Sequence, residues 1–156
     1  MRKNRLRELW AEGRAAVNGW LTVPSPYVAE IMAHQGWDSI TIDLQHGPLD
    51  VPDAIPMMQA MSATDTVPVI RVPWNEPSVI MRCLDAGAYG IICPMINDRD
   101  DAERFVGACR YPPDGYRSNG AYRGTIYGGA DYLQHANEEI LTFAMIETRE
   151  GVANLK

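Results

Sequence analysis

Lysine is nearly absent from this 156-residue chain: Lys3 and Lys156 stand at its extremes, and arginine supplies the other positive charges. An imine-forming enzyme needs a desolvated lysine held inside a pocket, so covalent imine chemistry is close to excluded. Cysteine is scarce too. Cys83, Cys93 and Cys109 are odd in number and form no C-x-x-C pair, which argues for reduced, buried thiols in a cytoplasmic protein and against a disulfide or zinc framework. No apolar run approaches the roughly eighteen residues of a membrane span, and the charged opening MRKNRLRELWAEGR lacks the apolar core of a secretory signal. Basic residues are outnumbered 14 to 20, for a formal charge of −6. That leaves no broad electrostatic footprint for nucleic acid, and nothing points to a membrane partner.

What is present is ordinary globular material, 46% hydrophobic and 22% charged, enough for one domain over residues 1–156. Short apolar runs of strand type alternate with helical stretches. An opening helix is expected over 4–12, and strands over 16–21, 39–43, 67–72, 90–93 and 141–146. Helices are expected from Ser25-Pro26 to Gln35, over 51–63, from Glu76-Pro77 to Ala86, over 98–109 and from near Thr148. Pro at a helix start and Gly36 or Gly87 at its end punctuate the pattern. The stretch YPPDGYRSNGAYRGTIYGGADYL has little periodicity and five tyrosines, and reads as an ordered lid or interface loop.

Five βα units in series imply a parallel α/β sheet. An open doubly wound sheet and a (β/α)8 barrel both place their sites at the carboxyl ends of the strands. The regular strand spacing favours the barrel, and since a full barrel takes about 250 residues, this chain covers roughly its first five units.

The strand ends carry the candidate chemistry. Asp43 and His46 follow the second strand in a turn containing Gly47-Pro48, Arg71 ends the third, Pro94 and Asn97 follow the fourth, and Glu147 follows the fifth. In a parallel sheet Asp43, His46, Arg71 and Glu147 converge on one rim, bringing together a possible base, an anion clamp and a metal ligand. Asp43 could also simply cap its turn. Arg71, inside an apolar strand, must meet an anion, either Asp43 or a ligand. Asp85, late in a helix where an acid is unfavourable, calls for a cation or histidine partner. His34 and His135 read as surface or packing residues.

In this order, TIDLQHGP, VPVIRVPWNEP, LDAGAYGIICPMIN, ACRYPPDGYRSNG and AMIETREGVANL resemble the HpcH/HpaI family. Its members include class II, metal-dependent pyruvate aldolases acting on 4-hydroxy-2-oxo acids, with a (β/α)8 barrel usually assembled into hexamers. The resemblance implies that His46 is the catalytic histidine, moving a proton through water, with Asp43 the carboxylate beside it. Arg71 would hold the keto oxygen of pyruvate and its enolate, Asp85 would help orient the histidine, and Glu147 would be the first metal-ligating carboxylate. It further implies a homo-oligomer, a small 2-oxo acid substrate, and a divalent ion such as Mg²⁺, Mn²⁺ or Co²⁺, which suit carboxylate and water ligands.

Two departures stand out. Gln45 occupies a position where many relatives have Glu. The family's second metal ligand, an Asp in a Gly-Pro-x-Asp-Leu type loop, falls beyond Lys156. The competing expectations are a degenerate, non-catalytic barrel fragment that binds through open sheet edges, and an acyl-CoA lyase of the citrate-lyase type.

Overall fold

The computed structural model describes residues 1–155. Its elements alternate as β1 Asn18–Leu21, α2 Pro26–Ala33, β2 Ser39–Asp43, α3 Val51–Met61, β3 Val67–Arg71, α4 Pro77–Asp85, β4 Gly90–Cys93, α5 Arg99–Cys109, β5 Leu141–Ala144 and α8 Arg149–Ala153. A short α1, Arg5–Ala11, precedes β1. Local chemistry starts the helices where the sequence predicts. Ser25 caps α2 ahead of Pro26, Asp50 and Asp53 form a reciprocal capping box on α3, and Asp98 caps α5.

The five strands are all parallel and lie in the order β1-β2-β3-β4-β5. A doubly wound sheet reverses its direction of growth at a switch point. This sheet never reverses, and that is the winding of a barrel. Strand alternation divides its faces. Ile40, Ile42, Ile70 and Ile91 are wholly buried on the helix-covered side. Asn18, Thr41, Val69, Ile92 and Phe143 point the other way, where α1 lays Leu6 and Trp10 over a cavity of about 280 Å³.

The stretch between α5 and β5 is not simply a loop. It contains α6, Tyr122–Gly128, and α7, Tyr132–Glu139. Neither has a side-chain N-cap bond, and α6 holds Gly124 and Gly128 against the Tyr132 ring. In α6, glycine packing replaced the cap and apolar period that would have announced a helix. Strand ends also contract: β1 begins at Asn18 rather than residue 16, and β5 ends at Ala144 rather than Ile146.

The N-terminal residues form a strap across this region. The Met1 ammonium pairs with Asp131, Arg2 donates its backbone N–H to Gly128, and Lys3 pairs with Glu139 at 2.7 Å. Buried Asn4 donates to the Tyr89 and Glu139 carbonyls at 3.0 and 2.9 Å. Lys3 is thus an exposed side chain paired with a buried carboxylate, not a lysine held in a pocket, and Lys156 lies outside the described residues. The three cysteines are buried and unpaired, and burial pushes each thiol up to about 12. Among the described residues no helix is long and apolar enough to cross a membrane.

Candidate active site

β2 and β3 pair in register so that Asp43 and Arg71 sit side by side at their carboxyl ends. Arg71 Nε donates to Asp43 Oδ1 at 2.8 Å and Nη2 to Oδ2 at 2.5 Å, a two-point ion pair. Asp43, only 2% exposed in its side chain, also accepts the backbone N–H groups of Gln45 and His46 at 3.0 and 3.3 Å and the Trp20 indole N–H at 3.3 Å. Burial, the largest single influence, pushes this carboxyl up, but the hydrogen bonds from Arg71, Gln45, Trp20 and His46 together outweigh it and hold it at about 2. Asp43 is therefore a fixed anion rather than a proton carrier. The same pairing keeps Arg71 more firmly protonated, with Glu147 adding to the field.

Arg71 spends its Nε–Nη2 edge on Asp43 and lays one face over the Trp20 ring, with Cζ 4.9 Å from the ring centre. No described residue accepts from its Nη1, which leaves that end of the guanidinium for an incoming anion. The turn after β2 depends on Gly47, where a Cβ would lie 2.6 Å from the Asp43 carbonyl oxygen. No other residue lets the chain fold back this tightly and bring two N–H groups onto the carboxylate.

His46 is exposed beside this pair. Its backbone N–H, not its ring, bonds Asp43. On the other side of the rim, Glu147 Oε2 accepts the Met95 N–H at 2.9 Å. Met95 adopts the left-handed region at φ 57°, a costly conformation for a side chain of this size and one that tends to cluster at working sites. Asn97 pins the same loop by donating to the Met95 carbonyl and accepting from Thr148.

Asp43, Arg71, His46 and Glu147 thus share the rim expected of them. Asp85 does not join them. It ends α4, five residues before β4 begins, at the opposite end of the sheet, and its Oδ1 accepts from Arg117 Nη2 at 2.9 Å. The cation partner expected for Asp85 is real, but within this chain the carboxylate does not reach His46. His34 is exposed, and His135 lies on α7 near Asp131 and Glu138. Trp20 and Met95 were not foreseen. An inward-facing aromatic at the end of β1 was the available signal for Trp20; nothing in the sequence marks the backbone of Met95.

The family model described as HpcH/HpaI aldolase/citrate lyase matches residues 18–156. The chain belongs to this family. A hydroxypyruvate/pyruvate aldolase of Rhizorhabdus wittichii is 44% identical over 97% of the chain and 61% of its own length. A 5-keto-4-deoxy-D-glucarate aldolase of Escherichia coli is 32% identical, again over 97% of the chain and 60% of its own length. A crystal structure of a family protein from Burkholderia cenocepacia superposes with a TM-score of 0.89 at 35% identity, covering 97% of this chain and 63% of that one. The chain spans about three-fifths of the length of these relatives, as expected of a partial barrel.

A divalent metal is the cofactor that the family implies. Among the described residues, no group of three or more His, Cys, Asp or Glu side chains is placed to hold an ion. Among the described residues of the rim named above, Glu147 is the carboxylate not paired with an arginine. A hard divalent cation requires several oxygen ligands, so these residues do not by themselves form a complete metal site.

Proposed function

We propose that this rim is the pyruvate-binding side of a carbon–carbon lyase that reversibly cleaves a 4-hydroxy-2-oxo acid into pyruvate and an aldehyde. The reading rests on one observation above all: Arg71 is locked by Asp43 and Trp20 with Nη1 free, on the rim that carries His46 and Glu147. In cleavage, a base takes the proton of the 4-hydroxyl, the C3–C4 bond breaks, and its electron pair becomes the enolate of pyruvate. Protonation at C3 then releases pyruvate.

Arg71 is a fixed positive charge where negative charge develops on the C2 oxygen, an interaction strongest in the transition state. Because Asp43 cannot take up a proton near neutral pH, it holds Arg71 without competing for the substrate's proton. His46, with its ring unbound and exposed, moves the hydroxyl proton through a water. Glu147 is one ligand of a divalent ion (Mg²⁺, Mn²⁺ or Co²⁺) whose set this chain does not complete. The absence of a usable lysine agrees with a metal route. We further infer a cytoplasmic homo-oligomer, in keeping with the reduced thiols and with the family resemblance.

A second reading, a non-catalytic fragment, draws on the incomplete metal set and the open inner face of the sheet. Pyruvate release from a simple 4-hydroxy-2-oxo acid, with Mn²⁺ and with EDTA, separates the two. Metal-dependent release that falls at least about a hundredfold in His46→Ala and Arg71→Ala supports the lyase. Release that survives EDTA overturns the metal-dependent class. Silence from the folded chain selects the fragment.

A further inference from the structure

The geometry points to Trp20 as the residue that positions Arg71 for anion binding, an inference that rests on the proposed lyase reading for its consequence but not for its structure. Trp20 lies on β1, two strands away from Arg71, in the register Trp20–Thr41–Val69 one layer below Asp43 and Arg71. Its indole reaches up diagonally and makes two contacts at once. The ring lies 4.9 Å from Arg71 Cζ, and Nε1 donates to Asp43 Oδ2 at 3.3 Å, the same oxygen that accepts Arg71 Nη2.

Each contact removes a different freedom. Asp43 alone fixes one edge of the guanidinium but leaves it able to pivot out of the carboxylate plane. The indole face blocks that pivot on one side and attracts the cation, while the indole N–H fixes the carboxylate plane. What remains addressable is the outer end of the guanidinium, Nη1 with the second N–H of Nη2. Trp20 is 41% exposed as a residue, so its stability contribution alone does not explain so large an aromatic at a barrel mouth. Trp20 is a positioning residue: it acts through Arg71.

The test uses Trp20→Phe, which keeps a ring face and loses the N–H, and Trp20→Met, which loses both, with circular dichroism to check folding. Hydrogen exchange at the Arg71 Nε–H, read by NMR, is the decisive measurement because it needs no turnover. We expect exchange about threefold faster in Trp20→Phe and at least tenfold faster in Trp20→Met. Where the wild-type chain releases pyruvate, kcat falls about tenfold in Trp20→Met while KM stays within threefold, and Trp20→Phe restores most of it. Unchanged exchange in a folded Trp20→Met overturns the proposal, and should that variant not fold, unchanged exchange in Trp20→Phe does so. A wild-type chain that releases no pyruvate removes the lyase reading for this chain and leaves the exchange result to decide the role of Trp20.

Discussion

Asp43–Arg71 and Asp85–Arg117 are the same chemical pair set in the fold with opposite exposure. At the rim the carboxylate is buried and the guanidinium reaches out, with side-chain exposures of 2% and 13%. At the far end of the sheet the guanidinium is fully buried and the carboxylate is 30% exposed. Both arginines lie over aromatic rings, Trp20 in one case, Tyr111 and Tyr132 in the other. The buried member of each pair is the anchor, and the exposed member is the end that can act on something else. Arg71 is thereby a presented cation, whereas Arg117 ties the α5–α6 connection to α4.

The comparison breaks if the members of each pair are interchangeable. At the far pair, Asp85→Ala strands a buried guanidinium and costs about 3 kcal/mol of stability. Arg117→Met, which keeps most of the bulk and leaves a carboxylate that water can reach, costs about half as much. Urea unfolding of both variants checks the order, and a reversed order breaks the assignment of Arg117 as anchor. At the rim, the proposed lyase reading predicts that Arg71→Ala lowers pyruvate release at least about a hundredfold, equivalent to about 2.7 kcal/mol of transition-state stabilisation. A smaller loss than in Asp85→Ala molecules that remain folded would place the working cation elsewhere.

Acid sharpens the difference further. The folded value of Asp43, about 2, lies below its unfolded value of 3.8. Its contribution, about 2 kcal/mol, is therefore complete above the unfolded value and is lost as pH falls through the folded one. Stability should drop more steeply between about pH 4 and 2 in wild type than in Asp43→Asn, as measured by urea midpoints. The smallest effect is expected from Gly47→Ala, which pushes the turn away from the Asp43 carbonyl and costs about 1 kcal/mol. A crystal structure of that variant should show the Gln45 and His46 N–H groups withdrawn from Asp43 while the Arg71 bonds persist.

The sequence made the rim legible because strand ends are punctuated by sharp local signals. Asp43, Arg71 and Glu147 each close an apolar run, and parallel strands bring all such ends to one side whatever the details of the helices. What stayed hidden were contacts between residues far apart in the chain. Nothing near Asp85 announces Arg117, which sits in a stretch without periodicity, and nothing near Asp43 announces Trp20. The helices α6 and α7 were invisible for a related reason: neither has a side-chain N-cap bond, and in α6 Gly124 and Gly128 are poor helix formers held by close packing against Tyr132. The resemblance implies that Asp85 helps orient the histidine, whereas within this chain the carboxylate lies at the opposite end of the sheet and pairs with Arg117.

The order β1-β2-β3-β4-β5 also sets a schedule for synthesis. Every strand pairs with the one made just before it, so the sheet can grow as the ribosome delivers it, each βα unit docking on a completed edge. Such sequential pairing keeps loop-closure costs low. The strap is the exception. Lys3 and Asn4 are among the first residues made, yet their partner Glu139 is 135 positions beyond Asn4. They must wait for α7, and their docking becomes a late latch that closes only when β5 is ready to join the sheet.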